Sequence, residues 1–418
     1  MATITEKSNI PDAIKNAFDQ RGLEPGDKAS LAFDLFMAKG LPTAKSEAYR
    51  LVPITRILEK AFSEEVSAPS EQTNLSLFRS IHEQPSNKVV FVNGLYDAYR
   101  SEILDKSISL TFAQPPAPVN EQDPFELLNL AFCNTMVDIH VPESIIPKYP
   151  LAIIHYFDSP TFVFANPRWK CTVGANSEIA ISEHTVTTET ASYFNNKQSR
   201  LVADENTKVE FVTFQQGAER EIQVNNAFVD LAKNSKLRCY TFTFKGLLVR
   251  NNLTIAIHGE NIDARLNGLY CLSGNTIADN HTVVDHRKPR SFSNEIYKGV
   301  MDGNSKAVFN GKIFVQPDAQ KTNAFQSNRN ILLSESASVH AKPQLEIWAD
   351  DVKCSHGCTT GQLDEEALFY LRSRGLSKEM SRGMLLKAFA AETLEGIKSE
   401  QIKDLVNQLI SKQLHQSP

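Results

Sequence analysis

The sequence lacks the features of secreted and membrane-spanning chains. Residues 1–11 contain no apolar signal region, and no apolar run approaches the roughly 18 to 20 residues needed to cross a bilayer. A cytoplasmic location is therefore expected. In that reducing compartment the six cysteines are not expected to form a disulfide framework, because four are scattered singly and only Cys354 and Cys358 lie close together.

Several catalytic and binding signatures are also missing. The chain has no Walker-type phosphate loop, no G-x-S-x-G sequence and no H-E-x-x-H sequence, so it is not predicted to be an ATPase or a hydrolase by itself. Its 44 basic and 49 acidic residues are interspersed and give a formal net charge of −5. Because nucleic-acid binders carry a clustered basic footprint, this balance argues against nucleic acid as a partner.

The first part of the chain is predicted to be mostly helical. Its apolar residues recur with the spacing of amphipathic helices, and Pro and Gly residues separate the segments. The polar, proline-bearing stretch 63–87 is interpreted as a linker or long loop. A boundary near residues 147–150 gives a mostly helical N-terminal domain over residues 1–148. The predicted helices cover residues 12–20, 28–39, 53–62 and, with Asp123 as its cap, 124–135.

From about residue 151 the sequence changes to many short β runs. They are rich in Val, Ile, Thr and Phe, and Asn and Gly residues separate them. This texture fits a β-solenoid or a large sandwich, with the solenoid favoured, and residues 149–358 are assigned to the β core. Recurring asparagine pairs are predicted to form tight corners, because asparagine tolerates left-handed backbone. The pairs are Asn195-Asn196, Asn225-Asn226 and Asn251-Asn252.

Helical patterns return in a predicted C-terminal domain over residues 359–418. Asp364 is expected to cap a helix over 365–373, a second helix follows, and residues 400–414 form a third. The apolar residues of these helices suit either docking of a partner or capping of the chain's own β core. The residues alone leave both possibilities open.

The strongest candidate site is a Cys-x-His-x-Cys sequence. If residues 352–358 are extended, Cys354, His356 and Cys358 lie on one face, because strand side chains alternate with period two. Thiolate and imidazole groups suit zinc, iron and iron-sulfur clusters. Same-face neighbours are about 7 Å apart, however, whereas the donors to one metal ion must be much closer. The three residues therefore fit a half-site completed by another strand or chain, or else a strand of buried thiols without a ligand.

Two other functions stay open on the residues alone. His281, Asp285 and His286 offer acid and base groups for a β-helix enzyme acting on polysaccharide, although their spacing fits neither a helix nor one strand face, and a polar corner is the simpler interpretation. The Cys-x-His-x-Cys residues are alternatively a self-contained zinc site. The other cysteines are predicted to be small core residues, namely Cys133, Cys171, Cys239 and Cys271.

Six short blocks in the last third of the chain carry a family resemblance. They are YKG at 297–299, FNGKI at 309–313, PDAQKT at 317–322, KPQLEI at 342–347, KCSHG at 353–357 and GQLD at 361–364. This set resembles the SufB/SufD family of iron-sulfur cluster assembly scaffolds, and its last two blocks point to SufD rather than SufB. Near the start, GLPT at 40–43 is also similar, whereas Glu47-Ala48-Tyr49 stands where the family often has an acidic-tryptophan pair.

The resemblance implies a mainly β fold, a right-handed parallel β-helix or solenoid flanked by helical N-terminal and C-terminal domains. It implies a non-catalytic scaffold subunit that forms a heterodimer with SufB and binds the ATPase SufC through its C-terminal helices. ATP hydrolysis is then expected in SufC. The implied cofactor is a transient iron-sulfur cluster shared with SufB, with none tightly bound in the isolated chain, for which a homodimer is plausible.

The resemblance also implies roles for particular residues. The cysteine and histidine of the family's CSHG block fall on Cys354 and His356, which are then expected to face SufB where the nascent cluster forms. Cys358 departs from the family, which often has alanine there. It is either an added ligand or a passive small residue, and the passive interpretation is favoured.

Overall fold

The structure is a computed structural model that describes residues 11–415, except 25, 64–65, 68–84 and 121. It is mainly β, with a solenoid of about eight turns and helices at both ends, as predicted. Most of the predicted linker at 63–87 lies outside the described residues. No helix in the described part of the chain is both long enough and apolar enough to span a membrane.

The helices begin close to the predicted positions, and Asp123 and Asp364 cap their helices as predicted. Asp27, Asp123, Asp364 and Ser377 each accept a hydrogen bond from a backbone N–H of the first helical turn. The helices are α1 (Asp12–Asp19), α2 (Lys28–Lys39), α3 (Ile54–Ala61), α4 (Pro124–Phe132), α5 (Glu365–Ser373), α6 (Lys378–Ala391) and α7 (Glu400–His415), with a 3₁₀ turn at Glu392–Leu394.

The strands are short before residue 178 and mostly of ten residues or so afterwards. They are β1 (Val66–Ser67), β2 (Asn87–Val92), β3 (Leu95–Tyr96), β4 (Ser109–Ala113), β5 (Met136–Val141), β6 (Leu151–Phe157), β7 (Phe162–Ala165), β8 (Arg168–Val173), β9 (Glu178–Thr187), β10 (Ser192–Ala203), β11 (Lys208–Gln216), β12 (Arg220–Leu231), β13 (Lys236–Lys245), β14 (Leu248–Ile257), β15 (Asp263–Leu272), β16 (Ile277–His286), β17 (Phe292–Met301), β18 (Lys306–Val315), β19 (Asn323–Leu332), β20 (Ser338–Ala341), β21 (Gln344–Ile347) and β22 (Lys353–Gly361).

The strands form two sheets that face each other across the solenoid. Sheet A has the order β20-β18-β16-β14-β12-β10-β8-β5-β4, with β1, β7 and β21 beside this path, and sheet B has the order β22-β19-β17-β15-β13-β11-β9-β6-β2-β3. Successive turns pair in parallel, and register partners such as Asn251 and Asn280 are about 29 residues apart. A period of this length explains why no hexapeptide or nonapeptide repeat is visible.

Both sheets include strands that precede residue 149. Strand β2 pairs in parallel with β6 in sheet B, and β5 pairs in parallel with β8 in sheet A. The first 148 residues thus contribute strands as well as helices. The division of the chain at residues 148 and 358 stays a prediction.

Helices cover the outer face of each sheet. Phe125 of α4 packs in one apolar cluster with Phe194 and Leu248 of sheet A. Leu386 of α6 packs in another with Phe242 of sheet B. These two apolar clusters attach the N-terminal and the C-terminal helices to the solenoid, because burying apolar side chains is favourable. One face of the C-terminal helices therefore caps the β core.

The asparagine pairs do not form corners, so that prediction was wrong. Each pair lies inside a strand, and Asn251-Asn252 lies within the single strand β14. The amides of Asn225, Asn251 and Asn280 are bonded to one another across three neighbouring strands, at 2.7 and 2.9 Å. Stacking in register gives each of these buried amides a hydrogen-bond partner inside the solenoid, while Nδ2 of Asn280 has none among the described residues. Left-handed corners lie elsewhere, at Asn176, Asn206, Asn234 and Asn261.

The solenoid interior also contains a carboxyl group with raised pKa. Glu221 faces inward from β12, and the hydroxyl of the buried Tyr193 interacts with its carboxyl group. Gly217 makes room for it, because a Cβ there would lie 0.9 Å from Glu221 Oε2. Burial raises the pKa of Glu221 to about 8.

We expect Glu221→Gln to stabilise the protein at alkaline pH. The folded pKa lies above the unfolded value of about 4.3, so the wild-type chain loses stability as pH rises between these values. Urea unfolding should show a gain of about 2 to 4 kcal/mol at pH 9 and little change at pH 4. Glu219→Gln is the control, because that neighbouring side chain is 84% exposed. Equal pH profiles for wild type and Glu221→Gln would contradict the assignment.

Candidate functional site

Strand β22 carries the Cys-x-His-x-Cys residues at the end of the solenoid. It runs from Lys353 to Gly361 and is the last strand of sheet B. One edge pairs in parallel with β19, and no strand in the described ranges pairs with the other edge. An edge of this kind presents unpaired N–H and C=O groups that another chain can use.

The three candidate side chains share one face, as predicted, and that face points inward. Their register partners on β19 are buried inside the solenoid. Because no further turn covers β22, His356 and Cys358 are exposed and Cys354 is half-buried. The register pairs are Ala324 with Cys354, Gln326 with His356 and Asn328 with Cys358. The site is therefore an interior face that the end of the solenoid leaves open.

This face does not make a complete metal site. Among the described residues, no group of three or more His, Cys, Asp or Glu side chains is placed to hold a metal ion. Spacing of about 7 Å along a strand accounts for this result. The geometry does not support a self-contained zinc site, which leaves the half-site and the strand without a ligand as the alternatives.

The two cysteines have pKa values above that of a free thiol. Burial raises the pKa of Cys354 and of Cys358. Both are therefore thiols at neutral pH, whereas metals bind the thiolate. A metal ion bound by these thiols would have to displace their protons, so its affinity would fall as the pH is lowered.

Beneath the face lies a layer of buried polar residues that the sequence did not reveal. Asn328, under Cys358, donates to the Tyr270 hydroxyl at 2.9 Å, and that hydroxyl is 2.5 Å from Asn330 Oδ1. Gly299 of the YKG block leaves the space for this network, because a Cβ there would lie 2.1 Å from Tyr270. In the sequence, Gly299 is the one sign of this buried layer. Its significance depends on which residues of the neighbouring turns pair with it, and local sequence patterns do not give that register.

The same YKG block ties sheet B to the C-terminal helices. Lys298 points outward from β17, where its Nζ donates to the Phe389 carbonyl oxygen at 2.7 Å and lies 2.6 Å from Glu392 Oε2. Lys298 is almost fully buried. Two neighbouring residues of β17 thus have different contacts. Gly299 faces the buried layer beneath Cys358, and Lys298 on the opposite face of the sheet binds α6.

The residues of the alternative enzyme site do not converge. His281 and Asp285 lie on the outer face of β16, whereas His286 is buried on its inner face. His281 Nε2 lies 2.8 Å from Asp279, and His286 Nε2 lies 2.8 Å from the Ser293 hydroxyl. Burial lowers the pKa of His286 to about 4. The polar corner was also a wrong interpretation, because these residues belong to a regular strand.

Comparison with known proteins identifies the family. The model described as "SUF system FeS cluster assembly, SufBD core domain" matches residues 156–389, which is more than half of the chain. The chain belongs to the SufBD family. The family has a role in iron-sulfur cluster assembly by the SUF system, and that role extends to this chain.

Relatives of the SufBD family match along most of the sequence. The chain is 28% identical to the iron-sulfur cluster assembly protein SufD of Escherichia coli over 99% of both chains. It is 28% identical to a SufBD family protein of Synechocystis over 92% of this chain and 90% of the relative. It is 31% identical to Protein ABCI7, chloroplastic, of Arabidopsis thaliana over 64% and 58% of the two chains. Among SufBD proteins the chain is SufD-like.

Proposed function

We propose that the chain is a non-catalytic scaffold subunit that offers one half of a site for a nascent iron-sulfur cluster. The observation that carries this proposal is the open inward face of β22, where Cys354 and His356 are accessible but lack the other ligands. Sulfur and imidazole donors suit iron and its clusters. The cluster is cargo in this proposal, formed between two chains and then passed on.

SufB is the proposed source of the other ligands. The free edge of β22 can pair with a strand of a second chain. Ile347 is the last residue of β21 in sheet A and Trp348 follows it, and they are 40% and 51% exposed, so apolar surface adjoins the free edges. An edge next to exposed apolar side chains is typical of a protein interface. The same surface would permit a homodimer when SufB is absent.

SufC is the proposed partner of the C-terminal helices. These helices bury one face on sheet B and expose large apolar residues elsewhere. Such residues on a helical surface are typical of a docking site for another protein. They are Phe369, Tyr370, Met380 and Met384, with exposed fractions of 73%, 56%, 59% and 49%.

The proposed mechanism is assisted assembly driven by SufC. Nucleotide binding would bring two SufC copies together, one on SufB and one on this subunit, and move the C-terminal helices. Lys298 links α6 to β17, so such a movement acts on the turns next to β22. The seam then opens for iron and sulfide. The free energy must come from the difference between nucleotide states of SufC, because a scaffold alone cannot shift the equilibrium.

Co-purification of the three chains tests the proposed partners, and Phe369→Glu should remove SufC. We expect the wild-type chain to be isolated with both SufB and SufC after co-expression. Because Phe369 is 73% exposed, the charge costs little in folding but disrupts an apolar interface, with SufC retention reduced about tenfold or more. SufB should be retained.

Tyr99→Glu is the matched control. Tyr99 is also an exposed aromatic residue, at 93%, but it lies in the N-terminal part of the chain. Retention of SufC should be unchanged in this variant. Full retention of SufC by Phe369→Glu would contradict the assigned docking surface, and failure of SufB to co-purify with the wild type would contradict the heterodimer.

A further inference from the structure

The side chain directly beneath His356 is that of Gln326. The two residues are register partners on β22 and β19, and both point to the solenoid interior. Neighbouring strands are about 4.8 Å apart, so the two side chains leave adjacent backbone positions on the same face of sheet B. The sequence gives no local sign of this pairing, because the two residues belong to successive turns.

The Gln326 carboxamide has a hydrogen-bond partner for its nitrogen but none for its oxygen. Its Nε2 donates to Glu295 Oε2 at 2.6 Å. Its Oε1 is buried and accepts no hydrogen bond from any residue that the structure describes. Gln326 is 3% exposed and Glu295 is 1% exposed, so water has little access to the pair. A buried acceptor without a donor carries a free-energy cost of about 1 to 3 kcal/mol, which calls for an explanation.

The opposite sheet is shaped to accept this side chain. Gly311, in the FNGKI block of β18, faces Gln326 across the interior, and a Cβ at Gly311 would lie 2.1 Å from Gln326 Nε2. Any larger residue at position 311 would displace the carboxamide. The glycine therefore leaves the space that the carboxamide of Gln326 occupies.

Histidine ligands need such an acceptor. An imidazole that binds a metal through one ring nitrogen usually donates its other N–H to a carbonyl or carboxylate oxygen, which fixes the tautomer and the orientation of the ring. Cys354 has no comparable neighbour, because Ala324 lies beneath it. The unpartnered oxygen thus belongs to the register partner of the one candidate ligand that requires an acceptor.

We propose that Gln326 is a positioning residue for His356. Its Oε1 accepts the imidazole N–H while the other ring nitrogen binds the nascent cluster, and Glu295 holds the carboxamide in the required orientation. This inference rests on the function proposed above. It adds two residues, neither of which touches the cluster, to the machinery of the half-site.

The test uses the complex with SufB and SufC and two readouts. Gln326→Leu should lower cluster content about ten- to a hundredfold, the usual effect of removing a neighbour that orients a metal ligand. Pulsed EPR of the remaining reduced cluster should show a weakened or lost ¹⁴N coupling from the histidine. Glu295→Gln keeps an acceptor for Gln326 Nε2 and should behave as wild type, whereas Glu295→Leu should resemble Gln326→Leu.

Gln223→Leu is the matched control for burial and packing. Gln223 is fully buried in β12, its Nε2 donates to Asn225 at 2.7 Å, and its Oε1 is likewise unpartnered among the described residues. Cluster content and ¹⁴N coupling should be normal in this variant. Equal values for Gln326→Leu and Gln223→Leu would overturn the inference.

The remaining outcomes separate this inference from the proposed function. If Gln326→Leu does not fold, the pair Glu295→Gln and Glu295→Leu decides, and equal cluster contents in that pair would overturn the inference. Loss of cluster in His356→Ala with retention in Gln326→Leu overturns the positioning role alone. Retention of cluster in His356→Ala overturns the proposed function and the inference together.

Discussion

His356→Ala is expected to lower the iron-sulfur content of the complex with SufB and SufC at least about tenfold. The imidazole is exposed on a strand edge, so its removal costs little stability and leaves the chain able to assemble. The substitution removes a ligand for the cluster. Cys354 and Cys358 cannot take its place, because same-face residues on a strand are about 7 Å apart. Iron and sulfide analysis of the purified complex, with the visible absorption of the cluster, measures the effect.

His340→Ala is the control for the His356 experiment. His340 is an exposed histidine on β20, at the end of the opposite sheet, and it is not part of the Cys-x-His-x-Cys face. This variant should carry as much cluster as the wild type.

Cys354→Ser should lose cluster as His356→Ala does, whereas Cys358→Ala should retain it if that cysteine is a passive residue. An intact complex with full cluster content in His356→Ala would contradict the assigned role.

Lys197→Met is expected to destabilise the chain by about 3 to 5 kcal/mol, a large part of the stability of an ordinary domain. Lys197 Nζ lies 2.6 Å from Glu183 Oε2 inside the solenoid, and both side chains are 3% exposed. The other oxygen, Glu183 Oε1, accepts hydrogen bonds from His155 and Trp169 at 2.9 Å. Removing the lysine charge leaves a buried carboxylate with neutral partners only.

The pH dependence of this loss identifies its cause. Burial alone would raise the pKa of Glu183, but the charge of Lys197 and the hydrogen bonds outweigh it and hold that pKa well below its usual range. The wild-type group is therefore ionised across the working range. In Lys197→Met the unpaired carboxyl can take up a proton in acid, so the destabilisation should be smaller at pH 5 than at pH 8.

Two further variants control the Lys197 experiment, each measured by urea unfolding. Lys170→Met removes a lysine that is 34% exposed and 4.0 Å from Asp138, and it should cost less than about 1 kcal/mol. Lys197→Met combined with Glu183→Gln should recover part of the loss, because no unpaired charge remains. A loss below 1 kcal/mol in Lys197→Met itself would contradict this account of the interior.

Features set by local chemistry were predictable from the sequence. Asp123 and Asp364 cap helices where expected, because a side-chain acceptor ahead of an apolar periodic run marks a helix start. The shared face of Cys354, His356 and Cys358 follows from the two-residue period of a strand, and the register with β19 confirms it. The role of these residues as ligands stays a prediction.

Features set by pairing between turns could not be predicted in the same way. Asn251 looked like a corner residue, but its partner Asn280 lies a full turn away, and only that pairing makes a strand interior favourable. Gln326 was missed under His356 for the same reason. Turn length decides which side chains meet, and no local pattern in this chain encodes a turn of about 29 residues.

Iron binding by the isolated chain, compared with the chain in complex with SufB, tests the half-site most directly. Both samples would be supplied with iron and sulfide without oxygen, desalted and analysed for bound metal. Since the face of β22 lacks a complete ligand set, the isolated chain should retain less than about a tenth of an iron per chain, and the complex should retain a cluster. A stable cluster in the isolated, monomeric chain would contradict the central claim.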